Sequence, residues 1–235
     1  MRVGLIRGVL LDVGDTLTRP IGGRWNPRFD FEDTLKSLGL SWDPGRLPVA
    51  VAAGEDYLNR MAAEGNRDDY HRTILQVLGL NPNQEVLAAL DVPLPFSQII
   101  EVFPDVPDAL ATIKGWGLSL GIVSDTGAEA RRLYDELGWV PYFDAYAISA
   151  EVGCCKPDPR MYLFASQGLG LEPSECLFVD NDADCVLGAL KLGYQACGIA
   201  RYEEPAEDGL TWIRDMAGLL RLLEAQLADH YQANS

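Results

Sequence analysis

Basic residues are scarce in this chain: Lys and Arg number 19 against 35 Asp and Glu, a formal net charge of −16. A field of that sign repels polyanions, which excludes nucleic acid as an expected partner and still allows a small anionic substrate met by a local cluster of donors. Long apolar runs are missing too. The opening MRVGLIRGVLLD is apolar only briefly and ends in a carboxylate, and no segment approaches the roughly 18 uninterrupted apolar residues of a membrane helix. The expectation is a soluble, cytoplasmic protein with no membrane partner. The 5 cysteines are odd in number and irregularly spaced, so they read as reduced thiols rather than a disulfide framework. Internal repeats and low-complexity tracts are absent. The 235 residues, 48% hydrophobic and 23% charged, suffice for one large domain or one domain carrying an insertion, as a monomer or homodimer.

The apolar run from Leu5 to Leu11 ends at Asp12 and Gly14, the pattern of a buried strand stopping at a turn. Thr18 to Asn26 (TRPIGGRWN) is rich in Pro and Gly, a hinge-like composition. From Pro27 to about Ile100 only helical patterns follow, in FDFEDTLKSLGL, VAVAAGEDYLNRMAAE, NRDDYHRTILQVLGL and NQEVLAALD, each closed by Gly, Asn or Pro. After Phe103 helices alternate with short apolar strands. Helices are expected at 105–116, 129–137, 159–167, 183–192 and 210–227, and strands at 118–123, 145–149, 176–179 and 195–199. The tail HYQANS is expected to fray. Such alternation implies an α/β fold: a Rossmann-like parallel sheet core formed by residues 1–18 and 101–235, with an inserted all-helical cap domain over 19–100.

In open parallel sheets ligands bind beyond the carboxyl ends of the strands. Polar clusters fall at three such ends: Asp12 to Thr16 (DVGDT), Ser124 to Gly127 (SDTG) and Asp180 to Asp184 (DNDAD). A fourth, Lys156 in CCKPDP, precedes a helix that opens on proline. Any one of them could merely cap a turn. Four in one chain are harder to explain that way.

The order of these clusters resembles the haloacid dehalogenase superfamily of hydrolases, of the type with a helical cap inserted after motif I. LLDVGDTL stands as motif I, GIVSDTG as motif II, KPDPRMY as motif III and LFVDNDADCVLGA as motif IV. The resemblance implies that Asp12 is a nucleophile forming a covalent intermediate later cleaved by water. It implies that Thr16 and Ser124 bind the oxyanion or orient Asp12, and that Lys156 neutralises charge on the nucleophile and the transferring group. Asp125, Thr126 and Gly127, with backbone N–H groups near a helix start, would contact substrate. A magnesium site would draw on Asp12, the Gly14 carbonyl, Asp180, Asn181 and Asp182.

Two departures bear on that reading. The superfamily's phosphatases place a second Asp two residues after the nucleophile as general acid and base, and here that position is Gly14. Such help is worth roughly 100- to 10,000-fold. Asp15, one residue later, reads as turn stabilisation. In motif IV, Asn181 offers a neutral carbonyl where magnesium prefers carboxylates.

A phosphatase acting on a small phosphorylated metabolite is therefore the leading expectation. A 2-haloacid dehalogenase is the alternative, since halide leaves without protonation, no metal is used, and Tyr162 stands six residues after Lys156 as in those enzymes. A non-catalytic binding protein of the same fold is a third. Arg24, Arg60, Arg67 and Arg72 are open as a halide-binding arginine, and Trp25, Asp69, Tyr70 and His71 join Arg24 and Arg72 as substrate-selecting cap residues. His71 could replace the missing acid. Cys154 and Cys155 read as small buried fillers, with oxidisable thiols as the alternative.

Overall fold

A computed structural model describes residues 5–61, 66–202 and 209–233. Its main sheet has six parallel strands in the order β5-β4-β1-β6-β7-β8. They are β1 (Gly8–Leu11), β4 (Ser119–Ser124), β5 (Ala145–Ile148), β6 (Cys176–Asp180), β7 (Gln195–Ile199) and β8 (Trp212–Ile213). Every residue of β1 and β6 is buried, as are the last five of β4. Strands covered on both faces need continuous rather than alternating hydrophobicity, and GVLL, LGIV and CLFV supply it. Each fully buried Val, Leu or Phe there contributes about 1.5–3 kcal/mol over leaving it exposed.

The register places the chemistry. Leu11 is level with Ile122 on one side and Val179 on the other, so Asp12 and Asp180 emerge side by side at the carboxyl edge, and the Asp12 N–H donates to the Val179 carbonyl at 3.0 Å. Here the strand order reverses about β1, the position at which open α/β sheets form their crevice.

The helices covering the sheet are α5 (Val106–Gly115), α6 (Ala130–Glu136), α7 (Ser149–Val152), α8 (Pro159–Gly168), α9 (Ala183–Lys191) and α10 (Met216–Ala233). α8 starts on Pro159, with the Asp158 carboxylate accepting the Arg160 N–H at 2.9 Å, and packs Met161, Tyr162 and Ala165 against Leu10, Val123 and Phe178.

The chain divides into two compact units, Met1–Thr18 with Val102–Ser235 and Arg19–Glu101. The second is helical: α1 (Phe31–Ser37), α2 (Leu47–Met61), α3 (Arg67–Leu78) and α4 (Gln84–Leu90) enclose a core of Phe31, Leu35, Tyr70, Ile74, Leu75 and Leu87. Asn66 and Asn83 cap α3 and α4, accepting N–H bonds at 2.8 and 3.0 Å, and Gly79 ends α3 at φ 78°. At Gly54 in α2 a Cβ would meet Tyr70 and Ile74 at 2.7–2.9 Å, so glycine permits the close approach of α3.

Several expectations required correction. The hinge-like stretch contributes β2 (Thr18–Pro20), which pairs with β3 (Ile100–Val102) in a two-stranded ribbon. Ser149 opens α7 instead of ending a strand. The last helix does not begin at Leu210: Trp212–Ile213 pair with β7 first, and α10 then continues through Ala233 into the tail expected to fray. Among the described residues no helix is long and apolar enough to cross a membrane.

Candidate active site

The Lys156 ammonium donates to Asp12 Oδ1 at 2.6 Å and to Asp180 Oδ2 at 2.7 Å, and the three side chains are only 4%, 8% and 2% exposed. Lys156 reaches the sheet edge because its backbone N–H is held by the Asp125 carboxylate at 3.0 and 3.2 Å, tying the loop before α8 to the end of β4. Burial alone would push the lysine pKa down, but the two carboxylates overcome it and hold the ammonium charged, well above its ordinary range. Asp180 is pushed up to about 7 by burial, against the pull of Lys156 and with the added push of the Asp12 charge. Two acids sharing one cation is a costly arrangement in a dry site, and such pairs concentrate where chemistry needs them.

The turn after β1 is tightly wound. Leu17 and Thr18 N–H groups both donate to the Val13 carbonyl at 2.9 Å, and Asp15 is held at φ 55°, the left-handed region that non-glycine residues rarely occupy. The Asp15 carboxylate accepts the Tyr202 hydroxyl at 3.2 Å. Thr16 is fully buried, with its hydroxyl 3.5 Å from Asn181 Oδ1. Ser124 is buried at the tip of β4, beside Tyr134 of α6.

Other expected site residues are placed differently. Tyr162 is buried in the core, its hydroxyl donating to the Cys185 carbonyl at 2.9 Å and its ring edge-on to Phe178, so that hydroxyl is not presented to a substrate. The Thr126 N–H is occupied by Ser149 Oγ at 2.9 Å. At Gly127 a Cβ would meet the Glu129 carboxylate at 2.2 Å, which sets an acid where an anion was expected. Asp182 caps α9, accepting the Asp184 and Cys185 N–H groups at 2.7 and 3.3 Å, while its own N–H donates to Asp180 Oδ1 at 2.8 Å. Asn181 is exposed.

In the helical unit, His71 is buried against Phe31 and Tyr70, and burial lowers its pKa to about 4. An imidazole enclosed in its own unit's core does not serve as the missing acid. Arg24 binds the Pro27 carbonyl and Glu32, Arg72 the Pro82 carbonyl, Arg60 the Asp56 carbonyl, and Arg67 pairs with Asp91. Asp69 accepts from the Asn66 amide at 2.8 Å, and Trp25 is exposed. Cys154 is buried and Cys155 half-buried, and burial raises both thiols, which disfavours the reactive thiolate.

Sequence reasoning missed Ser149, Tyr134 and Arg201. Arg201 follows a strand end, as the recognised clusters do, and that position was the available signal.

Among the described residues no group of three His, Cys, Asp or Glu side chains converges as a metal cage. Magnesium seldom needs one, since it is commonly held by one or two carboxylates with water and substrate phosphate completing the shell. Asp12 and Asp180 are two adjacent carboxylates, and the donor set fits an ion of that kind.

A haloacid dehalogenase-like hydrolase family model matches residues 6–193. The chain belongs to that family. A phosphatase of Mycobacterium tuberculosis is 30% identical over 135 residues, 57% of this chain and 61% of that protein, so the chain spans less than two thirds of that relative. A glyceraldehyde 3-phosphate phosphatase of Methanopyrus kandleri is 26% identical over 209 residues, covering 84% of this chain and 85% of its own. Among solved structures, an L-2-haloacid dehalogenase superimposes with TM-score 0.69 at 19% identity, covering 94% of this chain and 100% of that one, a likeness of fold.

Proposed function

We propose that this hydrolase is a phosphatase that uses Asp12 as nucleophile on a small phosphorylated metabolite whose leaving group departs as a stable anion. The observation that carries the reading is the buried Asp180 carboxylate beside Asp12 on one shared ammonium. A 2-halo acid would bring its own carboxylate toward that second negative charge, whereas a phosphoryl group arriving with magnesium would not meet it unscreened. The phosphatase relative matched along most of both chains supports the same choice.

In this scheme an Asp12 oxygen attacks phosphorus in line, and the bond from phosphorus to the leaving oxygen breaks. Lys156 holds Asp12 through its ion pair and keeps it aimed, and shares the charge gathering on the transferring oxygens. Ser124 and Thr16 offer hydroxyls at the same edge. Asp12 and Asp180, with the Gly14 carbonyl and the Asn181 amide oxygen nearby in sequence, would hold magnesium, which would supply charge neutralisation to the phosphoryl oxygens. Water then attacks phosphorus, the aspartyl bond breaks, and phosphate leaves with Asp12 restored. With Gly14 two residues after the nucleophile, no acid at that position protonates the leaving oxygen, so acyl phosphates are favoured over sugar phosphates.

The test is turnover of acetyl phosphate, 4-nitrophenyl phosphate and a sugar phosphate, with and without magnesium, in the wild type, Asp12→Asn and Gly14→Asp. The expected result is magnesium-dependent turnover graded by leaving-group acidity, abolished by Asp12→Asn and extended to the sugar phosphate by Gly14→Asp. Chloride release from 2-chloropropionate in chelator, with no phosphate release from any ester, would overturn the reading.

A further inference from the structure

Arg201 lies two residues beyond β7, with its side chain 6% exposed. Its Nε and Nη2 donate to a single acceptor, the Thr16 carbonyl oxygen, at 3.0 and 2.7 Å. Its Nη1 donates to Asp105 Oδ2 at 2.8 Å, and its flat face covers the Phe103 ring at 4.2 Å from the centroid. The same Asp105 oxygen accepts the Met216 N–H at 2.8 Å at the start of α10. Tyr202 adds the hydroxyl bond to Asp15.

These contacts fall on two stretches of chain, Asp15–Thr16 leaving β1 and Phe103–Asp105 entering α5. The Phe103 N–H joins them independently by donating to the Leu17 carbonyl at 3.0 Å. A left-handed, non-glycine residue such as Asp15 persists only where its surroundings over-determine it. The strained turn begins directly after Asp12, and Arg201 with Tyr202 grips its far side.

We propose that Arg201 is a positioning residue: its guanidinium fork clamps the Thr16 carbonyl to Asp105 and thereby fixes the turn that aims Asp12. The inference rests on the hydrolytic reading for its kinetic consequence but not for its structural one. Lysine cannot replace the fork, because a point-like ammonium does not give two parallel N–H bonds to one carbonyl, a third to a carboxylate and a stacked face at once.

The experiment compares the wild type, Arg201→Met, Arg201→Lys and a surface control, Arg7→Met, which removes an exposed pair with Glu175. Turnover of acetyl phosphate and hydrogen exchange at the Leu17 and Thr18 amides are both followed. Displacing a reactive group slightly from afar is worth up to about 100-fold, so Arg201→Met is expected to lower kcat by about 10- to 100-fold with KM nearly unchanged. Leu17 and Thr18 should exchange faster while β4 and β6 amides stay protected, Arg201→Lys should resemble Arg201→Met, and added guanidinium should restore part of the lost kcat in Arg201→Met but not alter Arg7→Met. A kcat and exchange pattern equal to wild type would overturn the proposal, as would loss of protection spread evenly over the sheet. If the wild type turns over no phosphate ester, the phosphatase reading fails, and exchange at Leu17 and Thr18 alone decides the clamp. If Arg201→Met does not fold, Arg201→Lys carries the same comparisons.

Discussion

One ammonium serving two buried carboxylates sets what single substitutions will do here. Lys156→Met would leave Asp12 and Asp180 facing each other without a cation. Removing one partner of a buried pair costs about 3–5 kcal/mol, so urea denaturation near pH 7.5 should show a loss of that order together with loss of turnover. Unchanged stability would mean the acids are solvated. His71 gives a second residue-scale test. Its folded pKa of about 4 lies below the ordinary 6.5, so as pH falls the unfolded chain takes up the proton first. The stability it contributes is complete above about pH 6.5 and is lost progressively down to about pH 4, roughly 3 kcal/mol in all. Denaturation of His71→Gln should be less pH-dependent than that of the wild type across this window, and parallel profiles would refute the buried neutral imidazole. Asp12, Ser124 and Asp180 were legible because each ends an apolar run. Tyr162 and His71 were not, because residue type does not disclose which face of a helix turns inward.

At the level of elements, α9 depends on a residue first read as a metal ligand. Asp182 accepts two N–H bonds at the helix start, and losing such a cap costs about 1 kcal/mol. Asp182→Ala should therefore lower Tm, and Asp182→Ser, which keeps an acceptor, should restore most of it. If Asp182 only caps the helix, Asp182→Ser will also keep wild-type turnover; lost turnover at a wild-type Tm would assign it to the site instead. Long elements with strong periodicity could be read from sequence: α2, α3 and α8 lie where the apolar spacing set them. The three-residue strands β2 and β3 and the two-residue β8 are too short for period-two alternation to register. The four-residue α7 was not read as a helix for the same reason, and its first residue, Ser149, was read as the end of the strand before it.

Across the whole molecule, a parallel sheet with β1 at its switch point brings Asp12, Lys156 and Asp180 together from positions as much as 168 residues apart in the chain, a separation given by 180 − 12. The net charge of −16 repels anions at long range, and against that field the buried Lys156 sets one cation at the sheet edge. The family was readable in the order of four motifs, since each supplies one group to one sheet edge. The anchoring by Arg201, Ser149 and Tyr134 was not, since it depends on contacts that no motif spacing encodes. Oxygen-18 tracing tests the central claim most directly: acetyl phosphate is turned over in labelled water, and both the released phosphate and the peptide containing Asp12 are weighed. Attack of water on an aspartyl phosphorus predicts label in the phosphate, an unlabelled Asp12 and no turnover in Asp12→Asn. Label entering the Asp12 carboxyl, or labelled phosphate released at an undiminished rate by Asp12→Asn, would contradict it.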